Sequence, residues 1–172
     1  IEGTPDHKIH VKGGKKALKD LTLADQVRIA IPFGVVTDDL DVVSAMTEAG
    51  QPVVRSGNYA RLRLGKTSIP ARIKWSVSLV RLLGLYAAEG SVSKSSTRPN
   101  SASLTFTFAK EGEEHLVDEV RRLLGEVFGL DAYIVNQETS TQIQTGSSIA
   151  AYLFAHLLGT GSDEKRLHPW IV

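Results

Sequence analysis

Alternating apolar and polar residues predict several β-strands. The clearest is residues 101–108, where every second residue is apolar and the others are Ser or Thr. Shorter runs of the same character occur at residues 9–11, 25–31, 59–64, 133–135 and 141–145. In the strand predicted at 59–64, we expect Leu62 and Leu64 to be buried and the opposite face to be basic.

Three segments have the spacing of helices that bury one face. They are residues 76–89, 113–128 and 149–158, and each is followed by a glycine. From residue 76 onward the predicted order is therefore helix, one or two strands, helix, two strands, helix. Residues 34–58 show no clear period, and the polar residues 91–100 are expected to form a loop. The pattern predicts an α+β fold.

The predicted helix at 76–89 carries the most informative chemistry. Gly84 and Ala88 are four residues apart and share one face, where a second helix could approach closely. Glu89 follows at the C-terminal end, where the helix dipole is already negative. A carboxylate there is unfavourable by about 0.3 to 1 kcal/mol unless a cation compensates. Two such helices side by side would bring two carboxylates together at a metal site.

Composition narrows the chemistry that is available. The chain has 172 residues, a net charge of +1, 42% hydrophobic residues and no cysteine. Disulfides, zinc–cysteine sites, iron–sulfur clusters and thiol nucleophiles are therefore excluded. No apolar run reaches the roughly 20 residues of a membrane span, and the N-terminus has no signal-peptide pattern. We expect an intracellular, cytoplasmic protein with no membrane partner.

Positive charge is concentrated in residues 52–100. Glu89 is the only acidic residue there, whereas the basic ones are Arg55, Arg61, Arg63, Lys66, Arg72, Lys74, Arg81, Lys94 and Arg98. Such a segment predicts a positive face suited to a phosphate backbone, and an ordinary solvated basic face is the alternative. We expect Arg61, Arg63, Lys94 and Arg98 to contact phosphates.

Residues 82–90, Leu-Leu-Gly-Leu-Tyr-Ala-Ala-Glu-Gly, resemble the LAGLIDADG motif of homing endonucleases, in the form found in intein-encoded members. Gly84 matches the first glycine of the motif, Glu89 its acidic residue and Gly90 its last glycine. The resemblance implies an αββαββα half-domain that hydrolyses phosphodiester bonds of duplex DNA. It also implies Mg²⁺ or another divalent cation, held at Glu89 and Gly90.

Three further segments resemble elements of intein proteins. Lys165-Arg166-Leu167-His168-Pro169 is similar to a Lys-x-Ile-Pro element whose lysine assists cleavage, which implies a catalytic role for Lys165; His168 departs from the pattern. At the N-terminus, Thr4-Pro5-Asp6-His7 resembles the Thr-x-x-His element of the Hint splicing domain, with Thr4 and His7 as its defining residues. Residues 21–27 resemble a second Hint element, in which Ala24 replaces the usual glycine.

The resemblance predicts three regions: a short all-β partial Hint segment at 1–33, a linker and basic DNA-recognition region at 34–72, and an endonuclease half-domain at 73–172. Splicing needs a Cys or Ser nucleophile upstream and a C-terminal His-Asn pair, so we expect that this chain, from Ile1 to Val172, does not splice itself. A half-domain also needs a second half, either another copy of the chain or the missing half of a longer protein.

Polar strand faces are the predicted sites of base contact. A β-ribbon fits the major groove, and Gln can read adenine edges. The residues concerned are Ser103, Thr105, Thr107, Gln142 and Gln144. The same faces are typical of any solvent-exposed strand. His115, His156 and His168 lack metal-ligand spacing, and we expect structural roles for them.

Two alternatives to an active endonuclease stay open: a DNA-binding module that keeps the fold without cleaving, and an internal fragment of a protein-splicing intein. A neutral residue at position 89 would favour the binding module, whereas Glu89 favours the nuclease.

Overall fold

The computed structural model describes residues 8–22, 39–98 and 101–169. The chain divides into two compact units, Ile1–Gly34 and Val35–Val172. Thr4, His7 and the strand predicted at 25–31 lie outside the described residues. Within the described part of the chain, no helix is both long and apolar enough to cross a membrane.

A single β-hairpin is described in the first unit. Strands β1 (Lys8–Val11) and β2 (Gly14–Ala17) pair antiparallel, and a short 3-10 turn at Leu18–Asp20 follows. Gly13 in the turn has φ of 104°, a backbone conformation that favours glycine. The predicted strand at 9–11 is confirmed.

The second unit begins with a small antiparallel region around helix α1 (Val42–Glu48). The Asp41 side chain caps this helix by accepting a 2.9 Å bond from the Ser44 N–H. Its strands are β3 (Leu40–Asp41), β4 (Val53–Ser56), β5 (Tyr59–Leu62), β6 (Ser68–Pro70) and β7 (Arg72–Ile73). β3 pairs with β7, and β4, β5 and β6 form a three-stranded sheet.

Two expectations for this region are wrong. Residues 34–58, for which the sequence pattern predicts no element, contain β3, α1 and β4. Leu64 is 75% exposed rather than buried. Continued alternation predicts its burial, but β5 ends at Leu62 and the chain turns before Leu64.

The remainder of the unit has the order αββαββα. Its elements are α2 (Val77–Glu89), β8 (Gly90–Lys94), β9 (Ala102–Ala109), α3 (Glu114–Phe128), β10 (Tyr133–Asn136), β11 (Ser140–Thr145) and α4 (Ser148–Leu158). The predicted α+β class and this order of elements are confirmed. The expectation of a loop at 91–100 is wrong for residues 91–94, which belong to β8. Gly90 has an extended backbone and starts this strand directly after the helix.

The four strands form one antiparallel sheet in the order β10-β11-β9-β8. The apolar face of β9, with Leu104, Phe106 and Phe108, is buried against the helices. Tyr86 of α2 and Phe154 of α4 meet beside Phe106, with their ring centroids 4.9 Å apart. This aromatic cluster fixes α2 and α4 on the helical side of the sheet and leaves the opposite side to its polar residues.

Candidate functional site

One face of α2 is open to solvent. Val77 is 88% exposed and Val80 58%, and Gly84, Ala87 and Ala88 are exposed as well. These five residues recur at helical spacing and define the open face of α2. The other side of the helix is fully committed to the core through Leu79, Leu82, Leu83, Leu85 and Tyr86. An apolar, small-residue helix face of this kind is an uncovered packing surface.

Nothing in the described structure requires glycine at position 84. A Cβ placed on Gly84 would meet no atom within 4 Å. Glycine in a helix interior costs roughly 0.5 to 1 kcal/mol relative to alanine. No packing contact among the described residues explains this loss of stability. A group outside the described residues that packs closely against the backbone of Gly84 would explain it.

At the C-terminal end of α2, a carboxylate and an ammonium group lie close together. Glu89 is exposed, and the Lys165 ammonium donates to the carbonyl oxygens of Tyr86 at 2.5 Å and Gly90 at 2.6 Å. The ammonium also lies 3.6 Å from the Tyr86 ring centroid. Burial lowers the pKa of Lys165, and the Glu89 carboxylate opposes this by raising it. The cation therefore compensates the negative end of the helix.

Tyr86 and two glycines hold this end of α2 in place. The Tyr86 hydroxyl donates to the Gly159 carbonyl at 2.6 Å, and burial raises the pKa of this phenol. A Cβ on Gly90 would collide with the Tyr86 ring, so the close approach requires glycine. Gly159, with φ of 88°, leads into the segment that carries Lys165. The side chains of Glu89 and Lys165 are thus positioned around the same buried ring.

The sheet gathers the predicted polar residues on one face. Thr107 stands opposite Gln142 and Thr105 opposite Gln144, while Ser103 lies on the same side of β9. Sequence reasoning missed further members of this face: Ser91, Ser93, Tyr133 and Val135. Ser91 and Ser93 were missed because the polar composition of β8 predicts a loop, although the apolar Val92 between them is a signal of alternation.

Several side chains on this polar face are buried or hydrogen-bonded to one another. Thr105 is only 8% exposed, because it lies on the central strand between Ser91 and Gln144. Gln144 donates to Gln142 at 2.8 Å and accepts from the Tyr133 hydroxyl at 3.1 Å. Thr105 therefore offers little exposed surface, and the two glutamines are held in one orientation.

The four predicted phosphate contacts have different surroundings. Arg61 and Arg63 are exposed at β5, where Arg61 donates to the carbonyls of Arg63 and Gly65 at 3.3 and 3.4 Å. Arg98 lines a pocket of about 380 Å³ together with Lys66 and residues at the start of α4. Lys94 instead borders a cleft that Glu48 and Tyr152 also line.

The Lys94 ammonium stands 5.9 Å from the Tyr152 ring of α4. Lys94 therefore faces the helices rather than the polar side of the sheet that Ser91 and Ser93 share. Lys94 belongs to the basic segment of the sequence, but in the fold its ammonium lies beside an aromatic ring of α4.

A family model described as a LAGLIDADG-like domain matches residues 76–166. The match covers more than half of the 172 residues. The chain belongs to the LAGLIDADG family. The matched region of this LAGLIDADG chain extends from the N-cap of α2 to Arg166, so it contains both Glu89 and Lys165. No curated protein shows significant similarity to the chain. LAGLIDADG proteins are generally DNA endonucleases that use divalent metals and often act as dimers or with a second half.

The residues at the end of α2 fit a hard divalent cation. Glu89 offers an exposed carboxylate, and the adjacent Gly90 carbonyl keeps one lone pair beside its bond from Lys165. Oxygen donors of this kind suit Mg²⁺, which retains several waters and needs few protein ligands. Glu89 supplies one carboxylate at this point, so a second half with its own acidic residue would add another.

Proposed function

We propose that this chain is one half of a DNA endonuclease that hydrolyses phosphodiester bonds of duplex DNA where the α2 helices of two halves meet. The observation that carries the proposal is the open face of α2, which ends at Glu89 beside Lys165. The open face has no role in the packing of the described residues, whereas a paired half would bury it and bring a second carboxylate close to Glu89.

Pairing follows from the chemistry of the open face. Gly84 and Ala88 let a second backbone approach closely, and Val80 supplies apolar area to bury. A second copy presents the same face, which suits a two-fold axis along the helices. With the helices parallel, both Glu89 carboxylates emerge at the same end of the pair. We propose a second copy as the partner, with a half from a longer polypeptide as the other candidate.

Each group at the junction has a distinct role in this proposal. The Glu89 carboxylate and the Gly90 carbonyl would hold Mg²⁺, which when bound activates water and neutralises charge on the leaving oxygen. The Lys165 ammonium would stabilise the negative charge that develops on the phosphate. Its two bonds to backbone carbonyls fix it in position before substrate arrives.

The polar side of the sheet is the proposed DNA-reading surface. Gln142 and Gln144 are pre-oriented by their mutual hydrogen bond, and an antiparallel ribbon of this width enters the major groove. Arg61, Arg63 and Arg98 would contact phosphates and set the register. Lys94 is the weakest member of the predicted set because its ammonium stands against Tyr152.

Because the target sequence is not known, the proposal is tested by measuring cleavage of a library of randomised DNA duplexes. The purified chain is incubated with Mg²⁺ and the library, and the newly formed ends are sequenced. We expect recurrent cleavage sites for the wild type and for Glu111→Gln, a control at an exposed acid. Glu89→Gln should abolish cleavage while retaining salt-sensitive DNA binding. Binding without cleavage by the wild type would instead support a DNA-binding module.

We also propose that the N-terminal unit is a partial Hint segment of an intein. The support is the sequence alone: Thr4, His7 and residues 21–27 resemble Hint elements in the order in which that domain has them. Sequencing the coding region on both sides tests this origin. An in-frame upstream Cys or Ser and a downstream His-Asn pair are expected, and a reading frame that ends on either side before these residues are reached would contradict it.

A further inference from the structure

Two histidines and a glutamate converge at a place remote in sequence from the LAGLIDADG motif. Glu48 is the last residue of α1, His156 lies in the last turn of α4, and His168 follows Lys165 in the C-terminal segment. The His168 Nε2 lies 3.2 Å from one Glu48 oxygen, and the His156 Nε2 lies 3.9 Å from the other. All three potential ligand atoms lie within 4.8 Å of one another.

The His156 Nε2 is the unusual atom of this cluster. It is buried and has no hydrogen-bond partner among the described residues, since 3.9 Å to Glu48 is too long for one. Buried polar atoms are almost always satisfied, and an exception calls for a specific explanation such as an ion. The two imidazole rings are tilted, with their centroids 4.5 Å apart. The Nε2 atoms of both rings therefore lie close to the Glu48 carboxylate.

The geometry of the cluster is close to that of a bound dication. Zinc–nitrogen and zinc–oxygen bonds of about 2.0 to 2.1 Å place tetrahedral ligand atoms about 3.3 Å apart. The 3.2 Å separation of His168 from Glu48 already matches this value. His156, at 3.9 Å from the other Glu48 oxygen, would have to move closer on binding, and all three ligand atoms already lie within 4.8 Å of one another. Side-chain exposure is low for His156 and His168, at 11% and 14%, and 49% for Glu48, so the nitrogens are shielded and the carboxylate is approachable.

We propose that Glu48, His156 and His168 form a binding site for a transition-metal dication of the zinc class, separate from the Mg²⁺ position expected at Glu89. Imidazole nitrogens select zinc-like ions over Mg²⁺, which prefers oxygen ligands only. Three protein ligands leave a fourth position, and an open cleft of about 580 Å³ borders the cluster.

The ion would join three parts of the chain that no local sequence pattern relates. α1, α4 and the C-terminal segment would share one centre, and His168 lies three residues beyond Lys165. The segment that carries Lys165 would therefore be anchored at both ends, by Tyr86 and Gly90 on one side and by the ion on the other. Because the unfolded chain lacks a preformed site, binding would raise the unfolding temperature.

Titration with zinc alone tests the site without DNA or any nuclease assay. Chelator-treated protein is titrated with Zn²⁺ by calorimetry, and with Co²⁺ by its visible absorption. We expect one ion per chain, an increased unfolding temperature and no competition from a large excess of Mg²⁺. His156→Gln and His168→Gln should weaken zinc binding at least tenfold, whereas His115→Gln, an exposed histidine on α3, should not.

A further variant covers the risk that a buried substitution disturbs folding. Glu48 is half exposed at a helix end, so Glu48→Gln should fold and still bind zinc less tightly. Absence of stoichiometric zinc binding by the wild type would overturn the proposal, as would wild-type affinity in His156→Gln or in Glu48→Gln. Since the assay contains no DNA, its outcome is independent of whether the chain cleaves DNA.

Discussion

The Lys165 ammonium lies 2.6 Å from the carbonyl oxygen of Gly90, a residue 75 positions earlier in the chain. This contact places a cation at the negative end of α2, next to the carboxylate of Glu89. A carboxylate at a helix C-terminus is otherwise disfavoured, so Lys165 makes the position of Glu89 tolerable before any metal binds. Fold stability and the proposed chemistry therefore depend on the same side chain.

Replacement of this lysine should affect both properties. Lys165→Met keeps the length of the side chain but removes the charge and both hydrogen bonds, and charged bonds contribute about 1.5 to 3 kcal/mol each at most. We expect a loss of about 1 to 3 kcal/mol in the free energy of unfolding by urea denaturation. Cleavage should fall by about 10²-fold or more, as is typical when an electrostatic donor is lost.

Lys110→Met provides the control for that change, because Lys110 is exposed in the turn after β9. It should leave both stability and cleavage near wild type. If Lys165→Met unfolds at the same urea concentration as Lys110→Met, the described contact contributes nothing to the fold.

Gly90 should be intolerant of a side chain. In Gly90→Ala the new methyl group would collide with the Tyr86 ring, which the aromatic cluster holds in place. Overpacking of this kind costs about 1 to 3 kcal/mol, to be measured by chemical denaturation. Gly146→Ala is the matched control, because a Cβ there meets only open space. Equal stability of the two variants would be inconsistent with the close approach.

The ion pair between α2 and α3 predicts a pH effect of known sign. Arg81 donates to Glu119 at 3.0 and 2.8 Å, and this lowers the pKa of Glu119 below its ordinary value of 4.5. Because the folded-state pKa is lowered, the pair stabilises the fold above pH 4.5 and loses this effect as pH falls through the lowered value. Carbon-13 NMR titration should show a lower Glu119 pKa in wild type than in Arg81→Met; identical values would contradict the assignment.

The absence of native cysteine allows a direct probe of proximity on α2. In the proposed pair, residue 88 of each copy approaches the axis, so Ala88→Cys should form a covalent dimer under mild oxidation because disulfides need Cα atoms about 4.4 to 6.8 Å apart. Ala109→Cys, exposed at the end of β9, should not. Non-reducing electrophoresis measures both; equal yields would indicate random collision.

Strong local periodicity is what made most of the half-domain predictable. The helix at 114–128 and the strand at 102–109 have long, regular patterns, and their predicted bounds agree within one or two residues. β8 was missed because five residues with three polar side chains resemble a loop, and pairing with β9 decides their conformation. α1 was missed because seven residues are too few to show a period, and packing on α4 together with the Asp41 cap stabilises it.

Which residues far apart in the sequence lie together in the fold could be predicted only in part. The junction of Glu89 and Lys165 could be anticipated because both belong to motifs of one family. Glu48, His156 and His168 belong to no shared motif, and their meeting depends on how α1 packs against α4. The expectation that these two histidines are merely structural is replaced by the proposal of a metal site. Spacing along the chain carries no information about such a cluster.

Sedimentation equilibrium of the purified chain tests pairing through α2 most directly. Wild type and Gly125→Leu, whose change lies on the exposed side of α3, should both sediment with twice the mass of the chain. Gly84→Leu should still fold, because a Cβ at this exposed position meets no atom within 4 Å, and should sediment as a monomer. A monomeric wild type at every concentration, or a Gly84→Leu variant that associates as strongly as wild type, would contradict the proposed pairing of two copies.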